Sequence, residues 1–243
     1  MVGSKIALYH SLADWYDAIY DWKDYRAEAR RLEQIARRYG RTGRTRWLDV
    51  ACGTGHHLEY LRGNHPCVGV DGSAEMLRIA RRRLPGMRLV RGDMRSFDLG
   101  ARFDVVTCLF SAVGHLPSER DLQRTFSNFA RHLAPGGVAI VEPWLEPAAF
   151  RPGTIHLRTH QGPSGTIVRL ASSARRGNRS VIDYHYLVAD PARGLRYFTE
   201  TDVGLMVPRA RLIRLMRRAG LRSRFLTRGF TGDRGLLLGV KPT

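Results

Sequence analysis

The segment Trp47-Leu-Asp-Val-Ala-Cys-Gly-Thr-Gly-His-His57 decides the fold of this chain. An apolar run ends in Asp49, a turn with Gly53 and Gly55 follows, and the chain then continues with a helical pattern. Glycines lack a Cβ atom, so the backbone can turn sharply there and lie close to a ligand. This order predicts the first strand, turn and helix of an α/β sheet, with a ligand beyond the carboxyl end of the strand.

Strand and helix patterns alternate from this segment onward. Ser73 and Ser118 are candidate N-caps of two later helices, and apolar residues at steps of four and three between Tyr25 and Tyr39 predict an earlier one. Alternation of this kind indicates right-handed crossovers and a mostly parallel sheet. The expected strands are 46–50, 66–70, 87–90, 104–109 and 137–142, the expected helices are 55–62, 73–83 and 118–133, and a helix after Pro208 and a hairpin of 222–228 and 235–240 close the chain.

Two further acidic residues follow apolar runs in the same way as Asp49. Asp71 follows Cys67-Val-Gly-Val70, and Asp93 follows Leu89-Val90. The carboxyl ends of parallel strands share one edge of the sheet, so the three carboxylates should lie near the glycine turn. Each acid alone is as consistent with a helix cap or a turn. The three together indicate a positively charged nucleoside, S-adenosylmethionine, rather than a phosphate.

The position of each acid predicts its contact with the ligand. Asp49 should attract the ammonium group, Asp71 should accept the ribose hydroxyls, and Asp93 should take the adenine amino group. Leu58 stands where a dinucleotide fingerprint has its third glycine, which argues against a pyrophosphate. The other expected cofactor contacts are Ala51, Gly53 and Gly55 in the turn, Met94 beside Asp93, and Phe110 after the fourth strand.

Residues 145–206 interrupt the alternation. Three stretches of strand composition are separated there by Gly177-Asn178 and by a turn from Asp190 to Gly194, which are signals of antiparallel hairpins. We therefore expect an inserted antiparallel β-sheet over 145–206, used for substrate binding or dimerisation. Residues 1–144 and 207–243 should form the Rossmann-like domain, with N-terminal helices in 1–40 over the cofactor site.

The composition is strongly basic, with a net charge of +18. Only three of the 40 basic residues are lysines, and the arginines are spread along the chain. Solvated helix faces and an acidic or polyanionic partner both account for this pattern. We find no apolar run of transmembrane length and no signal peptide at the start, and the three cysteines lack CxxC spacing. These features predict a reduced, cytoplasmic protein.

His115 is the candidate catalytic base. An amine that accepts a methyl group by in-line displacement must lose a proton, and histidine titrates near neutrality. His115 follows the fourth predicted strand; a loop histidine that caps a neighbouring helix is the other interpretation. The segment lacks the Asn/Asp-Pro-Pro-aromatic motif that is typical of nucleic-acid base N-methylation. No carboxylates join the histidines at ligand spacing, so we expect no metal site.

At this point the chain resembles a known family, the nucleotide-sugar N,N-dimethyltransferases that make the dimethylamino sugars of macrolide antibiotics. The resemblance covers nearly the whole chain. The matching segments are Tyr16-Asp17, Lys23-Asp-Tyr25, Leu48–Leu58, Gly92-Asp-Met-Arg95, Phe110-Ser111 with Val113-Gly-His115, His132–Gly137, Val141-Glu-Pro-Trp144 and Arg234-Gly-Leu236.

The resemblance implies a Rossmann-like class I methyltransferase fold, with a mostly parallel seven-stranded sheet whose last strand is antiparallel. It also implies a homodimeric N-methyltransferase whose substrate is a thymidine-diphospho (dTDP) amino-deoxy sugar. By motif, His115 would accept the proton and Tyr9 would lie beside the amine. Tyr16 and Tyr25 would close over the cofactor. The residues implied to border the sugar nucleotide are Glu142, Trp144 and, at the diphosphate, Arg234.

Three hypotheses for the function remain open from the sequence. The leading one is N-methylation of an amino sugar attached to a nucleotide. The second is a methyltransferase with a different substrate. The positive charge suggests RNA as that substrate, and another small-molecule amine or hydroxyl is equally open. A non-catalytic protein that binds S-adenosylmethionine would tolerate the loss of His115.

Overall fold

The structure is a computed structural model that describes residues 7–40, 45–230 and 234–243 of the 243-residue chain. The chain forms two compact units. One contains residues up to Lys23 together with Phe150–Gly204, and the other contains Asp24–Ala149 and Leu205–Thr243. The residues up to Lys23 therefore belong with the inserted sheet, whereas the sequence had led us to expect them with the Rossmann-like domain.

The larger unit contains a seven-stranded sheet in the order β10-β11-β5-β4-β1-β2-β3. Strands β1 to β5 are parallel to one another, and β11 is antiparallel to both β5 and β10. The sequence prediction of a mostly parallel sheet is confirmed. The strands are β1 Trp47–Val50, β2 Cys67–Asp71, β3 Arg88–Arg91, β4 Phe103–Cys108, β5 Leu133–Val141, β10 Arg222–Leu226 and β11 Leu236–Val240.

The apolar runs form the central strands because helices cover both faces of the sheet. Every residue of β1 and β4 is buried, and Val50, Val106 and Val141 have no exposed surface. The helices in this unit are α2 Tyr25–Tyr39, α3 His56–Leu61, α4 Ala74–Arg83, α5 Glu119–His132 and α6 Arg209–Arg218.

The predicted N-caps are present at two of these helices. The Ser73 hydroxyl accepts a hydrogen bond from the backbone N–H of Met76 at 3.2 Å, and Ser118 does the same for Asp121 at 3.1 Å. Such caps satisfy N–H groups that have no partner within the helix. They fix where α4 and α5 begin, and therefore where the loops above the sheet end.

Strand β5 begins earlier than the sequence had indicated. It starts at Leu133, directly after α5, whereas the expected strand began at residue 137. The pairing with β4 shifts between Phe103 and Val105, so the extra residues are taken up by an irregularity in the ladder. Gly136 has a φ of 77°, which glycine adopts without strain. Pro135 and Gly136 thus lie inside a bulged strand start, whereas they were expected to precede the strand.

The smaller unit contains short helical turns, α1 Tyr16–Ile19 and an antiparallel sheet in the order β6-β7-β8-β9. The inserted sheet was predicted, but its first strand was missed. In that strand nearly all side chains are exposed, so no buried apolar set reveals it in the sequence. The strands are β6 Ile155–Gly162, β7 Gly165–Arg176, β8 Arg179–Asp190 and β9 Gly194–Leu205. No helix in the described part of either unit is long and apolar enough to cross a membrane.

Candidate active site

The candidate site lies at the carboxyl edge of the seven-stranded sheet. Asp49 lies in β1, Asp71 ends β2, Asp93 follows β3 by two residues, and Phe110 follows β4 by two. Strand β1 lies between β2 and β4, so the strand order reverses beside it. Ligands of open α/β sheets bind at such a reversal. The structure therefore brings the predicted cofactor residues of the larger unit to one edge.

Asp49 is the most deeply buried of the three acids, with 2% of its surface exposed. The Thr107 hydroxyl donates a hydrogen bond to its Oδ1 at 2.7 Å, from the neighbouring strand β4. Burial raises the pKa of Asp49 to about 6, although His57 and the Thr107 hydrogen bond oppose the shift. A cation placed beside this carboxylate would favour its ionised form.

The glycine turn has a left-handed backbone, which makes the sharp turn that its sequence predicted. Gly53 and Gly55 have φ values of 56° and 84°, and Ala51 also has a positive φ, of 57°. A Cβ atom on Gly53 would meet no atom of the described residues within 4 Å, so the backbone there borders open space. A Cβ atom on Gly55 would lie 2.6 Å from Cδ1 of Leu84. Gly53 thus leaves room for a ligand, while Gly55 is required by packing.

Asp71 holds this turn in place. Its Oδ2 accepts a hydrogen bond from the backbone N–H of Gly53, and its Oδ1 accepts one from Ser73, both at 2.8 Å. Burial raises the pKa of Asp71, while these backbone hydrogen bonds lower it. A carboxylate has about four acceptor positions, so the capacity to accept ribose hydroxyls is retained.

Asp93 forms an ion pair with Arg95. The Arg95 Nε donates to both carboxylate oxygens of Asp93, at 2.9 and 3.0 Å, and its Nη1 reaches Asp121 at 3.2 Å. These hydrogen bonds from Arg95 are the main reason why the pKa of Asp93 is lowered. Met94, between the two, is half-buried against the core, and its carbonyl accepts a hydrogen bond from Asn128. The sequence placed Asp93 at the site but did not reveal Arg95 as its partner.

Aromatic rings cover the first turn of α3, directly after the glycine turn. Tyr25, the first residue of α2, stacks on His56 with ring centroids 4.3 Å apart and an angle of 11°. Its ring also meets the edge of His57 at 5.0 Å. A ring nitrogen of His57 lies 2.7 Å from the carboxylate of Glu28, and both residues are buried. Helix α2 is thus attached to the segment that forms the predicted cofactor turn.

The loop after β4 carries Phe110 and His115. Phe110 and Ser111 have positive φ values of 50° and 62°, and a short 3-10 helix, Ala112–His115, follows. Glu142 is the residue directly after β5, and its Oε2 accepts a hydrogen bond from the backbone N–H of Phe110 at 2.7 Å. His115 is exposed at the end of this turn.

Trp144 and Arg234 lie beside the same loop. The guanidinium carbon of Arg234 is 4.8 Å from the centre of the Trp144 ring and 5.7 Å from that of Phe110. Such cation–π contacts hold a guanidinium in place without using its N–H donors. Three residues that are distant in the sequence therefore form one basic and aromatic surface.

Comparison with known proteins identifies the family. Residues 48–137 match the model of a methyltransferase domain. A Streptomyces fradiae protein named dTDP-3-amino-3,6-dideoxy-alpha-D-glucopyranose N,N-dimethyltransferase is 41% identical over 94% of this chain and 90% of its own length. The chain belongs to this family of methyltransferases.

Solved structures agree with this assignment. The crystal structure of DesVI from Streptomyces venezuelae has a TM-score of 0.89 and 38% identity, over 95% of this chain and 98% of the other. CalS10 from Micromonospora echinaspora, an amino pentose methyltransferase involved in calicheamicin biosynthesis, was solved with S-adenosylmethionine bound. It has a TM-score of 0.83 and 36% identity, and the match covers 93% and 96% of the two chains. The fold is that of the class I methyltransferases, and S-adenosylmethionine is the cofactor.

The residues of this methyltransferase fit that cofactor. Asp49 and Asp71 are carboxylates whose ionised forms are disfavoured by burial, so a cation beside them is stabilising. The backbone at Gly53, whose N–H donates to Asp71, borders open space. The sulfonium and ammonium groups of S-adenosylmethionine carry positive charge, and its ribose has hydroxyl groups that could donate to a carboxylate such as that of Asp71.

Tyr9 and Tyr16 lie in the smaller unit of the methyltransferase. Their ring centroids are 6.0 Å apart. The backbone N–H of Leu8 donates to the Glu200 carboxylate at 3.2 Å, which fastens the turn that carries Tyr9 to strand β9. Burial raises the pKa of Tyr9 well above its usual value, so its phenol stays protonated. The roles that the resemblance gives to these two tyrosines remain predictions.

Two residues of the site could not be found from the sequence. Thr107 lies beside Asp49 because β4 pairs with β1 in one particular register, which the sequence does not specify. Glu28 reaches His57 across 29 positions in the chain. A threonine in an apolar strand and a glutamate on a helix carry no signal of these contacts. The order of the strands could suggest which pairs to test, but it does not fix the register.

Proposed function

We propose that this methyltransferase transfers a methyl group from S-adenosylmethionine to the amino group of a dTDP-linked amino-deoxy sugar. A second transfer to the same nitrogen would give the dimethylamino sugar of an antibiotic. The names of the relatives support this substrate class. The observation that carries the proposal is the surface formed by Arg234, Trp144 and Phe110, which places a fixed cation where the cofactor strands end.

A nucleotide sugar suits this surface for chemical reasons. Its diphosphate is a dianion, and a guanidinium pairs with phosphate oxygens through two parallel N–H groups. We assign this contact to Arg234. Trp144 offers an apolar ring to the sugar carbons. The resemblance had placed Glu142 beside the sugar nucleotide, but its side chain has no exposed surface, so it acts on the substrate only through the loop that it contacts.

His115 is proposed to take the proton from the amine. The cofactor supplies a methyl group bound to a positively charged sulfur, and the nitrogen attacks it with a lone pair. A protonated amine has no such pair, so a base beside the nitrogen raises the reactive fraction. His115 lies at the exposed end of the short helix that follows β4.

The remaining assignments are proposals of the same kind. Tyr25 covers the first turn of α3 and would close over the cofactor. Tyr16 is proposed to do so from the smaller unit, and the protonated phenol of Tyr9 is proposed to lie beside the substrate amine. Asp93 is proposed to accept the adenine amino group, and the Asp93–Arg95 pair fixes the carboxylate for this contact.

The variant His115→Asn tests the assignment of the base. The asparagine should lower kcat by about 10²-fold or more, the usual contribution of a general base. The dissociation constant of S-adenosylmethionine should stay the same. His156→Asn, at an exposed position of β6, is the control and should have no effect. Full activity of His115→Asn would show that another group takes the proton.

We also propose that the enzyme is a homodimer that associates through one face of the inserted sheet. Alternate residues of a strand lie on the same face. Leu157 pairs with Leu170, which pairs with His185, and His185 contacts Tyr197. These neighbours therefore lie on one face, which also carries the exposed apolar residues Ile155, Leu187, Leu195 and Val203.

The exposed apolar area on this face supports the dimer. Leu195, Ile155 and Leu157 are 74%, 70% and 65% exposed in the single chain. Several exposed apolar side chains on one face are typical of an interaction site, and a two-fold axis lets one surface cover a second copy of itself. We place the enzyme in the cytoplasm, because both proposed ligands are charged metabolites that do not cross membranes unaided.

A further inference from the structure

We infer that Glu142 is a positioning residue, which holds the Phe110–His115 loop in a strained conformation and so places His115. The inference rests on the proposed function, in which His115 takes the proton. In this positioning role Glu142 acts on the loop, whereas in a direct role its charge would act on the substrate.

The backbone of the loop is strained where it leaves β4. Phe110 and Ser111 are consecutive and both have positive φ values, of 50° and 62°. The left-handed conformation costs roughly 1–2 kcal/mol for each residue that has a Cβ atom. Such conformations persist only where the surrounding structure holds them, and they are concentrated at functional sites.

The segment that follows β5 holds this loop at three points. The carboxylate of Glu142 accepts the Phe110 N–H at 2.7 Å, and the Ser111 hydroxyl donates to the carbonyl of Pro143 at 2.9 Å. Gly114 packs on Trp144, since a Cβ atom at Gly114 would lie only 2.8 Å from that of Trp144. Three consecutive residues therefore contact three positions of the loop.

Glu142 provides the strongest of the three contacts. Its side chain is fully buried, and a hydrogen bond to a carboxylate is about twice as strong as a neutral one. Without this acceptor the Phe110 N–H would be left buried and unsatisfied. The turn would then relax from the left-handed region. His115 lies one 3-10 turn further on, where the N–H of Gly114 donates to Ser111 at 2.8 Å, so it would move with the turn.

Two conservative variants separate positioning from a direct role of the charge. Glu142→Gln keeps a side-chain oxygen at the same reach but loses the charge. Glu142→Asp keeps the charge but is one methylene too short to reach the Phe110 N–H. Positioning predicts that Glu142→Gln keeps kcat within about threefold, and that Glu142→Asp lowers it by about 10²-fold, the usual effect of a misplacement of about 1 Å. A direct role of the charge predicts the opposite order and would overturn the inference.

A double-mutant cycle tests whether Glu142 acts through His115. In the His115→Asn background, Glu142→Asp should lower kcat further by less than about threefold, because residues that act as a unit are not additive. If the two reductions multiply, Glu142 is merely structural and the inference fails. Glu146→Asp is the matched control, since Glu146 pairs with Arg209 instead of the loop.

The outcomes also distinguish this inference from the proposed function. Full activity of His115→Asn alone would contradict the proposed base, whatever Glu142 does. The melting temperature of each variant shows whether it folds. Should Glu142→Asp fail to fold, Ser111→Ala removes the Pro143 contact instead, and it should lower kcat in the wild type but not in the His115→Asn background.

Discussion

The ionisation of Asp49 should make cofactor binding depend on pH. We propose that the Asp49 carboxylate pairs with the ammonium group of S-adenosylmethionine, which requires the ionised form, and burial raises its pKa to about 6. The association constant should therefore fall about tenfold for each pH unit below 6 and level off as the pH approaches 7. Calorimetric titrations between pH 5 and pH 8, on the order of one titration per half unit, would measure this slope.

The variant Asp49→Asn provides the comparison. The asparagine cannot ionise, so its weaker binding should show no slope across the same range. Asp183→Asn, on strand β8 of the other unit, is the control and should keep the wild-type slope. Equal slopes in the wild type and Asp49→Asn would exclude Asp49 as the group that titrates.

Replacing the two glycines of the turn should have different effects on the stability of the fold. Alanine at Gly53 would have only the strain of a φ of 56°, whereas alanine at Gly55 would also clash with Leu84 at 2.6 Å. Gly53→Ala should lower the free energy of unfolding by about 1–2 kcal/mol, and Gly55→Ala should lower it further. Chemical denaturation measures both values.

Cofactor affinity should follow the reverse pattern in these variants. A Cβ atom at Gly53 projects into the open space that we assign to the ligand, so Gly53→Ala should weaken binding of S-adenosylmethionine more than its loss of stability suggests. If Gly53→Ala binds the cofactor as tightly as the wild type, the ligand does not lie against this turn.

At the level of elements, the sequence predicted the alternating strands and helices of the core. It missed the exposed strand β6 and the irregular start of β5. β1, β2 and β4 are short apolar runs bounded by turns, and Asp49 and Asp71 lie at or beside the ends of β1 and β2. β6 has no buried side to show as a pattern. The start of β5 is hidden because Pro135 and Gly136, residues that usually break a strand, lie in a bulge.

The candidate site was predictable to the same extent. The positions of Asp49, Asp71 and Gly53 follow from the order of the strands, and the structure brings them together. The contacts of Arg95 with Asp93 and of Glu142 with Phe110 depend on rotamers and on the strained loop. No periodicity in the sequence encodes these contacts, so they had to come from the structure.

At the scale of the whole molecule, we predict that charge on the exposed face of the inserted sheet dissociates the dimer. Leu157→Glu would bury a carboxylate in the interface without a partner, which costs several kcal/mol. Light scattering should show the wild type as a dimer and Leu157→Glu as a monomer at micromolar concentration. Tyr60→Glu, on the exposed side of α3, is the matched control and should remain a dimer.

The result of this experiment can contradict the proposed interface in two ways. A wild-type monomer at all concentrations would exclude the homodimer. A dimer that survives Leu157→Glu and also Leu195→Glu would show that another surface holds the two copies together.

The net charge of +18 is a property of the whole molecule, and it suggests one alternative function, the methylation of RNA. Binding to a nucleic acid weakens steeply with salt, because each phosphate contact releases counterions. The contact that we assign to Arg234 involves one diphosphate, so its salt dependence should be much smaller. Activity on a nucleotide sugar should therefore persist at high ionic strength.

The most direct test of the account is the mass of the product. The purified enzyme is incubated with S-adenosylmethionine and a panel of dTDP-amino-deoxy sugars, with RNA as the comparison, at high salt. We predict that at least one nucleotide sugar gains the mass of one and then two methyl groups on its nitrogen, and that RNA gains none. Methylation of RNA with no change in any nucleotide sugar would contradict the proposed function.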